Sequence, residues 1–192
     1  MPRSSAADAA DTARRILEAA TAHFAEHGYA AASVDEIARA AGVTRGAVYH
    51  HYVSKPQLFA AVASAQQQHI ADAIVAATAD SAPDAVLRDG SHAFLDAITD
   101  ATAARILLID GPAALGWEHW RRLDAEGPET ELRAGLREAG ITPALIDPLT
   151  AALSGAMNEL ALWLAAHQDD AAARGHAHRA LDSILASAAP RG

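Results

Sequence analysis

Residues 33 to 55 constrain the fold more than any other stretch, because they hold three helix starts, one helix stop and one steep crossing in very little chain. Ser33 and Glu36 are spaced as a capping box, in which each side chain satisfies a free backbone N–H, so a helix is expected from Val34. Val34, Ile37, Ala38 and Ala41 fall on one helical face, while Asp35, Glu36 and Arg39 face away. Gly42 is placed to end that helix with a positive φ. Thr44, directly after the apolar Val43, is a second N-cap candidate. So short a connection forces the two helices to cross steeply. Ala38 supplies the small residue such a crossing needs, and Val48 is placed to plug the angle: this is helix-turn-helix spacing.

The second helix is rich in hydrogen-bond donors and poor in aliphatic residues, so most of its surface suits a polar partner. Arg45 can donate two hydrogen bonds to a guanine edge in the major groove, and Thr44, Tyr49, His50 and His51 can reach phosphates or bases nearby. Gly46 and Ala47 allow close approach. Ser54 and Gln57 form another capping box, and Lys55, the only lysine in the chain, lies where side chain and helix N-terminus can hold one phosphate together. Some of these residues have a second reading, since His51 can pack or solvate and Tyr52 suits the core as well as a contact. Helix-turn-helix geometry also occurs in proteins that never touch DNA.

From about Arg14 to Val62 the sequence resembles the tetracycline-repressor (TetR) family of one-component transcriptional regulators. The residues that carry the likeness are Phe24, Gly28-Tyr29, Ser33-Val34-Asp35-Glu36-Ile37-Ala38, Gly42-Val43, Gly46-Ala47-Val48-Tyr49-His50-His51-Tyr52, Ser54-Lys55 and Leu58-Phe59. The resemblance implies that Thr44, Arg45, Ala47 and Tyr49 face the groove or its phosphates, and that Ser33, His50 or His51 and Lys55 bind backbone phosphates. It departs at Tyr52, where the family more often has Phe, and at Pro56, which a helix's first turn tolerates.

The bulk properties agree with an all-α protein. Alanine is the commonest of the 192 residues, and strand-like runs of Val, Ile, Thr and aromatics are absent. Disulfides and thiolate metal sites are excluded because there is no cysteine. No continuous run of about 18 apolar residues and no signal-peptide pattern is seen, so the expectation is a soluble, cytoplasmic protein with no membrane partner. The net charge of -9 looks wrong for a DNA binder, but it is unevenly placed. Residues 1–60 carry six basic and six acidic side chains and residues 61–192 nine against eighteen, so all of the excess lies in the second part.

About nine helices are expected. Residues 1–10 are expected to be disordered, and the first helix to run from about Thr12 to His27 and stop at Gly28. A fourth helix starts near Lys55 and passes Ile74; a fifth runs from Pro83 to about Ala101; a sixth holds Ile106 to Ile109 and ends at Gly111-Pro112. The pattern then breaks at Gly116 and Gly127-Pro128, and two longer helices follow, from about Ala144 to His167 and Asp170 to Ala188. Phe94, Ile98, Leu108, Trp117 and Trp120 are candidates to wall an apolar effector pocket, with Asp110 and Asn158 as polar anchors. Leu153, Ala156, Glu159, Leu160, Trp163, Leu181, Ile184 and Leu185 are candidates for a dimer interface between the last two helices, the arrangement the resemblance also implies.

His176 and His178 are two apart, the wrong spacing to chelate a metal on a helix, and no nucleophile elbow, phosphate loop or dinucleotide fingerprint is present. No catalytic residue, metal or cofactor is therefore expected. The expectation is an all-α homodimeric regulator, most simply a repressor, with residues 1–57 binding a palindromic operator and residues 58–192 binding a small-molecule effector and a second copy. The competing reading is a helical homodimer that binds a small molecule or protein without DNA recognition.

Overall fold

Where helices start and stop in this chain is decided by caps, glycines and the packing of aromatic side chains, and each device has a named residue. The computed structural model describes residues 3–188. Met1 and Pro2 of the segment expected to be disordered lie outside that range, but from Arg3 onward the expectation is overturned, because α1 runs Arg3–Ala31. Alanine-rich chain favours helix strongly, and Arg14 bridges Asp11 at 2.5 Å and Glu18 at 2.7 Å along the helix surface. Gly28, with φ 75°, breaks α1 where the sequence places the stop, and residues 29–31 form a redirected last turn.

The helix-turn-helix follows as α2 (Val34–Ala40) and α3 (Arg45–His51). Ala38 and Val48 are 3% and 1% exposed, so they are the small residue and the plug of the crossing. Thr44 caps α3 by accepting from the Ala47 N–H at 3.1 Å, and Ser54 caps α4 (Lys55–Thr78) by accepting from Gln57 N–H at 3.3 Å. Gln57 reaches back to the Val53 N–H instead of the Ser54 N–H. The expected capping box at α2 does not form. Ser33 has the extended backbone of an N-cap, but its N–H donates to His23 Nε2 of α1 at 3.2 Å, and Glu36 stands 3.3 Å from that same nitrogen. A tertiary partner replaces the local one.

α5 spans Val86–Ile98, shorter than expected because residues 83–85 form a turn ahead of it. α6 (Ala101–Ala103) runs straight into a π-helical segment (Ala104–Asp110) and then α7 (Gly111–Leu115). Gly111-Pro112 thus opens α7 and does not end a helix, since a proline in the first turn lacks only an N–H that has no intrahelical partner. Gly116 and Gly127-Pro128 separate α7, α8 (Trp117–Glu126) and α9 (Pro128–Glu138), and α10 (Pro143–Ala166) and α11 (Ala173–Ala188) complete the chain. Counting residues 101–115 as one rod, ten helices and no strand are present among the described residues. The buried side chains form one continuous core from Ile16 to Leu185.

α10 is long and apolar enough, by length and composition, to cross a bilayer, and 33% of its most apolar stretch is buried here. Its inner face packs through Ile146, Leu153, Met157 and Ala161. α11 is tied to α5 through a stacked histidine pair: His178 pairs with His92, not His176, with Nδ1 atoms 2.5 Å apart and each Nε2 2.9 Å from an aspartate, Asp182 for His92 and Asp96 for His178.

Gly42 has φ 66°, and a Cβ there would lie 2.7 Å from Nη2 of Arg15, whose guanidinium donates to the carbonyl of Ala41 at the end of α2. Gly42→Ala should cost about 1–2 kcal/mol of stability from the left-handed backbone alone. Urea denaturation measures it, and an unchanged midpoint would show that the turn relaxes freely.

Candidate nucleic-acid interface and effector cavity

Val48 is the one buried residue of α3 and Tyr49 packs partly on the core beside it, while Arg45, Gly46 and His50 stand exposed. Arg45 is exposed, donates to Asp35 of α2 at 2.8 Å, and lies over the Tyr49 ring at 5.4 Å. These contacts hold the guanidinium on the outer face without burying it. Thr44, Gly46 and His50 are exposed and Ala47 and His51 half-buried on the same short helix. A Cβ at Gly46 would meet only the Thr44 hydroxyl, at 3.8 Å, so nothing inside the protein requires glycine there. Lys55 turns back across the end of α1, donating to the Ala30 carbonyl at 3.3 Å and lying 4.7 Å from the Tyr29 ring centroid. Tyr52 reads as a core aromatic: it packs on the core, and its hydroxyl donates to the Ala13 carbonyl at 3.4 Å. Burial pushes its phenol above the ordinary range.

Two connections run from this face into the rest of the molecule. The first is α4, which carries Lys55 at one end while Ile74 and Thr78 line a cavity roughly 30 Å further along its axis. The second is Asp110, at the end of the π-helical segment, which accepts the Tyr29 N–H at 2.9 Å just after the break in α1. Arg105 stands 3.5 Å from the same carboxylate.

The cavity, about 170 Å³, is not where the sequence pattern places it. Of the candidate pocket residues only Phe94 lines it. Ile98 is 2% exposed and sealed in the core, Leu108 packs against the core, and Asp110 caps Tyr29. Trp120 is buried against the π-helical segment, donating Nε1–H to the Leu107 carbonyl at 2.7 Å, whose i+5 position is Pro112 and offers no N–H. Trp117 is 66% exposed, and Asn158 is half-buried outside the lining. Apolar walls come from Ile74, Val86, Leu87, Phe94, Leu132 and Met157, and the polar end from Asp124, Glu129, Ser91 and Ser154.

None of the residues of that polar end is a candidate from sequence, although they leave a signal there: polar residues interrupting apolar helical stripes. Ser91 sits on the face of Phe94, Leu95 and Ile98, Asp124 follows Trp120 by four, and Ser154 lies between Leu153 and Met157. Asp124 Oδ2 accepts from Arg121 at 3.0 Å and Ser154 at 3.2 Å, while both oxygens of Glu129 are taken, one by Arg121 at 3.1 Å and one by Arg133 at 3.2 Å. Burial, then the charge of Glu129, raises the Asp124 carboxyl above its ordinary value, against the opposing pull of Arg121, Ser154 and Gln67.

The outward side of α10 also differs from the expected stripe. Leu153, Leu181 and Leu185 are buried in the chain's own core and support the helices from behind. Glu159 is exposed and Ala156, Leu160, Trp163 and Ile184 are half-buried, while Leu145 and Leu162 add exposed apolar surface at 51% and 36%. With Ala152 and Gly155, which are also exposed, they form an outer stripe at helical spacing.

Residues 16–62 match the family model described as bacterial regulatory proteins, tetR family, and residues 85–188 match that of the tetracyclin repressor-like C-terminal domain. The chain belongs to the TetR family. It is similar to two Pseudomonas putida regulators, TtgW and SrpR, each 34% identical over 132 residues. The match covers 65% of this chain in both cases, with 93% of TtgW and 59% of SrpR. A solved TetR-family regulator from Pectobacterium atrosepticum, 27% identical, superposes with a TM-score of 0.76 over 96% of this chain and 97% of its own. The protein is accordingly a transcriptional regulator with a helix-turn-helix DNA-binding domain, and not an enzyme.

A raised native pKa means that the folded state holds the Asp124 proton more tightly than the unfolded chain does. Its contribution is fully present at low pH and declines as pH rises from the ordinary carboxylate value through the raised one. Asp124→Asn should therefore gain stability relative to the native protein as pH rises through that window. Melting temperatures of both proteins against pH read this out, and a difference that does not vary with pH would refute it.

Proposed function

We propose that the protein is a ligand-released repressor that binds a palindromic operator as a homodimer in the cytoplasm. In this reading residues 1–57 bind DNA and residues 58–192 bind the effector and the second copy. The observation that carries it is α3, which exposes Arg45 and His50 while Val48, with Tyr49 packed partly beside it, anchors the helix. Arg45 reads a base edge, Tyr49 and Thr44 flank it, and Gly46 and Ala47 admit the duplex closely. Ser33, His50, His51 and Lys55 hold backbone phosphates, with Lys55 exchanging the Ala30 carbonyl for a phosphate oxygen. The exposed stripe of α10, with Leu145, Ala152, Gly155 and Leu162, supports a two-fold helix-to-helix interface, because small residues let two such helices approach and the apolar surface gains by being covered.

Two-fold symmetry places the recognition helices in successive major grooves roughly 34–36 Å apart or a multiple of that. An effector in the cavity acts only through its preference for one dimer geometry over another. α4 touches both the cavity and the DNA-facing end, so a shift at Ile74 and Thr78 is carried to Lys55 and α3. Asp110 sets where the last turn of α1 sits against that lever. A ligand that favours the mismatched spacing removes the protein from its operator and turns the gene on.

Selection of bound fragments from random DNA at two salt concentrations, with Tyr49→Ala in parallel, is the direct test. A recovered palindrome lost in the variant supports the reading, and no motif from a folded, ligand-free dimer would sink it. On that operator Arg45→Ala should cost about 1–3 kcal/mol and relax base preference, whereas Lys55→Ala lowers affinity evenly across sequences and flattens the salt slope by about one unit. Equal losses on operator and random DNA for Arg45→Ala would remove its base-reading role.

A further inference from the structure

The cavity between α4, α5, α8, α9 and α10 has an unusual charge pattern. Each ionisable side chain that lines it is a carboxylate: Asp124 and Glu129 at the buried end, the half-buried Glu131, and the exposed Glu138 at the far end of α9. No lysine, arginine or histidine is in its lining. The two guanidiniums behind the buried pair are shared widely, Arg121 between Asp124 and Glu129, and Arg133 between Glu129 and Asp147. Asp147 is exposed to solvent, so at the buried end two carboxylates share Arg121 and only Glu129 also reaches Arg133. Glu129 has both oxygens bonded to arginine, whereas Asp124 is otherwise held by neutral groups, Ser154 and Gln67. Next to Asp124, Gln67 is 5% exposed, and its Oε1 has no hydrogen-bond partner. An acceptor buried without a donor is costly, and so is a carboxylate incompletely neutralised. The buried end therefore holds one acceptor without a donor, and Asp124 has a single cationic partner that it shares with Glu129.

The remainder of the lining is hydrocarbon from Ile74, Val86, Leu87, Phe94, Leu132 and Met157. The volume of about 170 Å³ is close to the ~150 Å³ at which an apolar protein cavity takes up benzene. We propose that the effector is a small amphipathic amine, bound as its ammonium ion, with an apolar body about the size of one ring against Phe94, Leu132 and Met157 and its nitrogen donating to Asp124. This rests on the reading of the cavity as the effector site. An ammonium carries two or three N–H donors for the carboxylate and serine oxygens of that end, and its charge adds to the neutralisation of Asp124 that Arg121 begins. A neutral alcohol of the same shape supplies one donor and no charge. A carboxylate of the same shape meets like charge at Asp124, Glu129 and Glu131.

The groups facing Asp124 are Arg121 on α8, Glu129 on α9, Ser154 on α10 and Gln67 on α4, and no histidine is among them. Its carboxyl is raised, so ammonium binding and loss of the Asp124 proton are linked, and affinity for the amine rises with pH while affinity for the alcohol does not.

Calorimetry on the full-length, DNA-free protein with 2-phenylethylamine, 2-phenylethanol and phenylacetate tests the proposal. The amine should bind at least tenfold more tightly than the alcohol, and phenylacetate should give no heat. Asp124→Asn should bring the ratio of amine to alcohol affinity towards one, and Met157→Trp, which fills the cavity, should abolish binding of both. If Asp124→Asn does not fold, the native protein decides alone, through the amine's affinity as pH rises from the ordinary carboxylate range towards about 8, over which the amine stays charged. Equal affinity for amine and alcohol, tighter binding of phenylacetate, a flat pH profile, or amine binding insensitive to Met157→Trp would each overturn it. Operator binding measured in parallel separates the two levels. Retained operator binding without an amine response rejects the ligand class and leaves the regulator reading standing, whereas loss of operator binding rejects that reading whatever the calorimeter records.

Discussion

Three aromatic rings at the junction of α1 and α4 hold this molecule together. Phe24 and Phe59 meet edge to face with centroids 5.1 Å apart, and Tyr29 closes the group at 4.9 Å from Phe59. Phe24 and Phe59 are completely buried, and such pairs contribute beyond their buried area because ring edge and ring face carry opposite partial charge. The cluster docks the first helix onto the fourth, and the helix-turn-helix is built against the pair. It also fixes Tyr29, whose backbone N–H reaches Asp110 and whose ring carries Lys55. Core packing, the π-helical rod and Lys55 are thus joined at one residue.

Electrostatics explains how an acidic protein presents a face suited to DNA. The first sixty residues are neutral overall, and their acidic groups work locally: Asp35 steadies Arg45, Asp11 and Glu18 grip Arg14, and Glu36 lies beside His23. Exposed pairs of this kind contribute little stability, a median near 0–1 kcal/mol. Their effect here is positional, since Arg45 is held over Tyr49 before any partner arrives. The excess negative charge sits in the remaining chain, where part of it is buried around the cavity.

Polar residues inside apolar stripes build one end of the cavity. Asp124, Glu129 and Ser154 come from three different helices and meet, with Gln67 of α4 packed beside Asp124 outside the lining, only because α4, α8, α9 and α10 pack as they do. Phe94 does wall the cavity, but the two tryptophans that look from sequence like pocket walls serve other ends: Trp120 satisfies the Leu107 carbonyl, for which Pro112 has no N–H, and Trp117 faces solvent. Asp110, expected as a pocket anchor, ties the break in α1 to the rest of the molecule.

What could be read from the chain alone was whatever depends on neighbours a few residues away. The Thr44 and Ser54 caps, the turn at Gly42, the break at Gly28, the small residue Ala38 and the plug Val48 are set by backbone sterics and short-range hydrogen bonds, so spacing was enough to place them. Long-range contact decided the rest. His23 displaced the capping partner of Ser33, and the register of α10 turned Leu153 inward and Leu162 outward. His178 found its partner on α5, and the carboxylates of α8 and α9 closed one end of the cavity. A helical repeat says that a helix has two faces; which of them is covered depends on what packs against it, and that belongs to the tertiary structure.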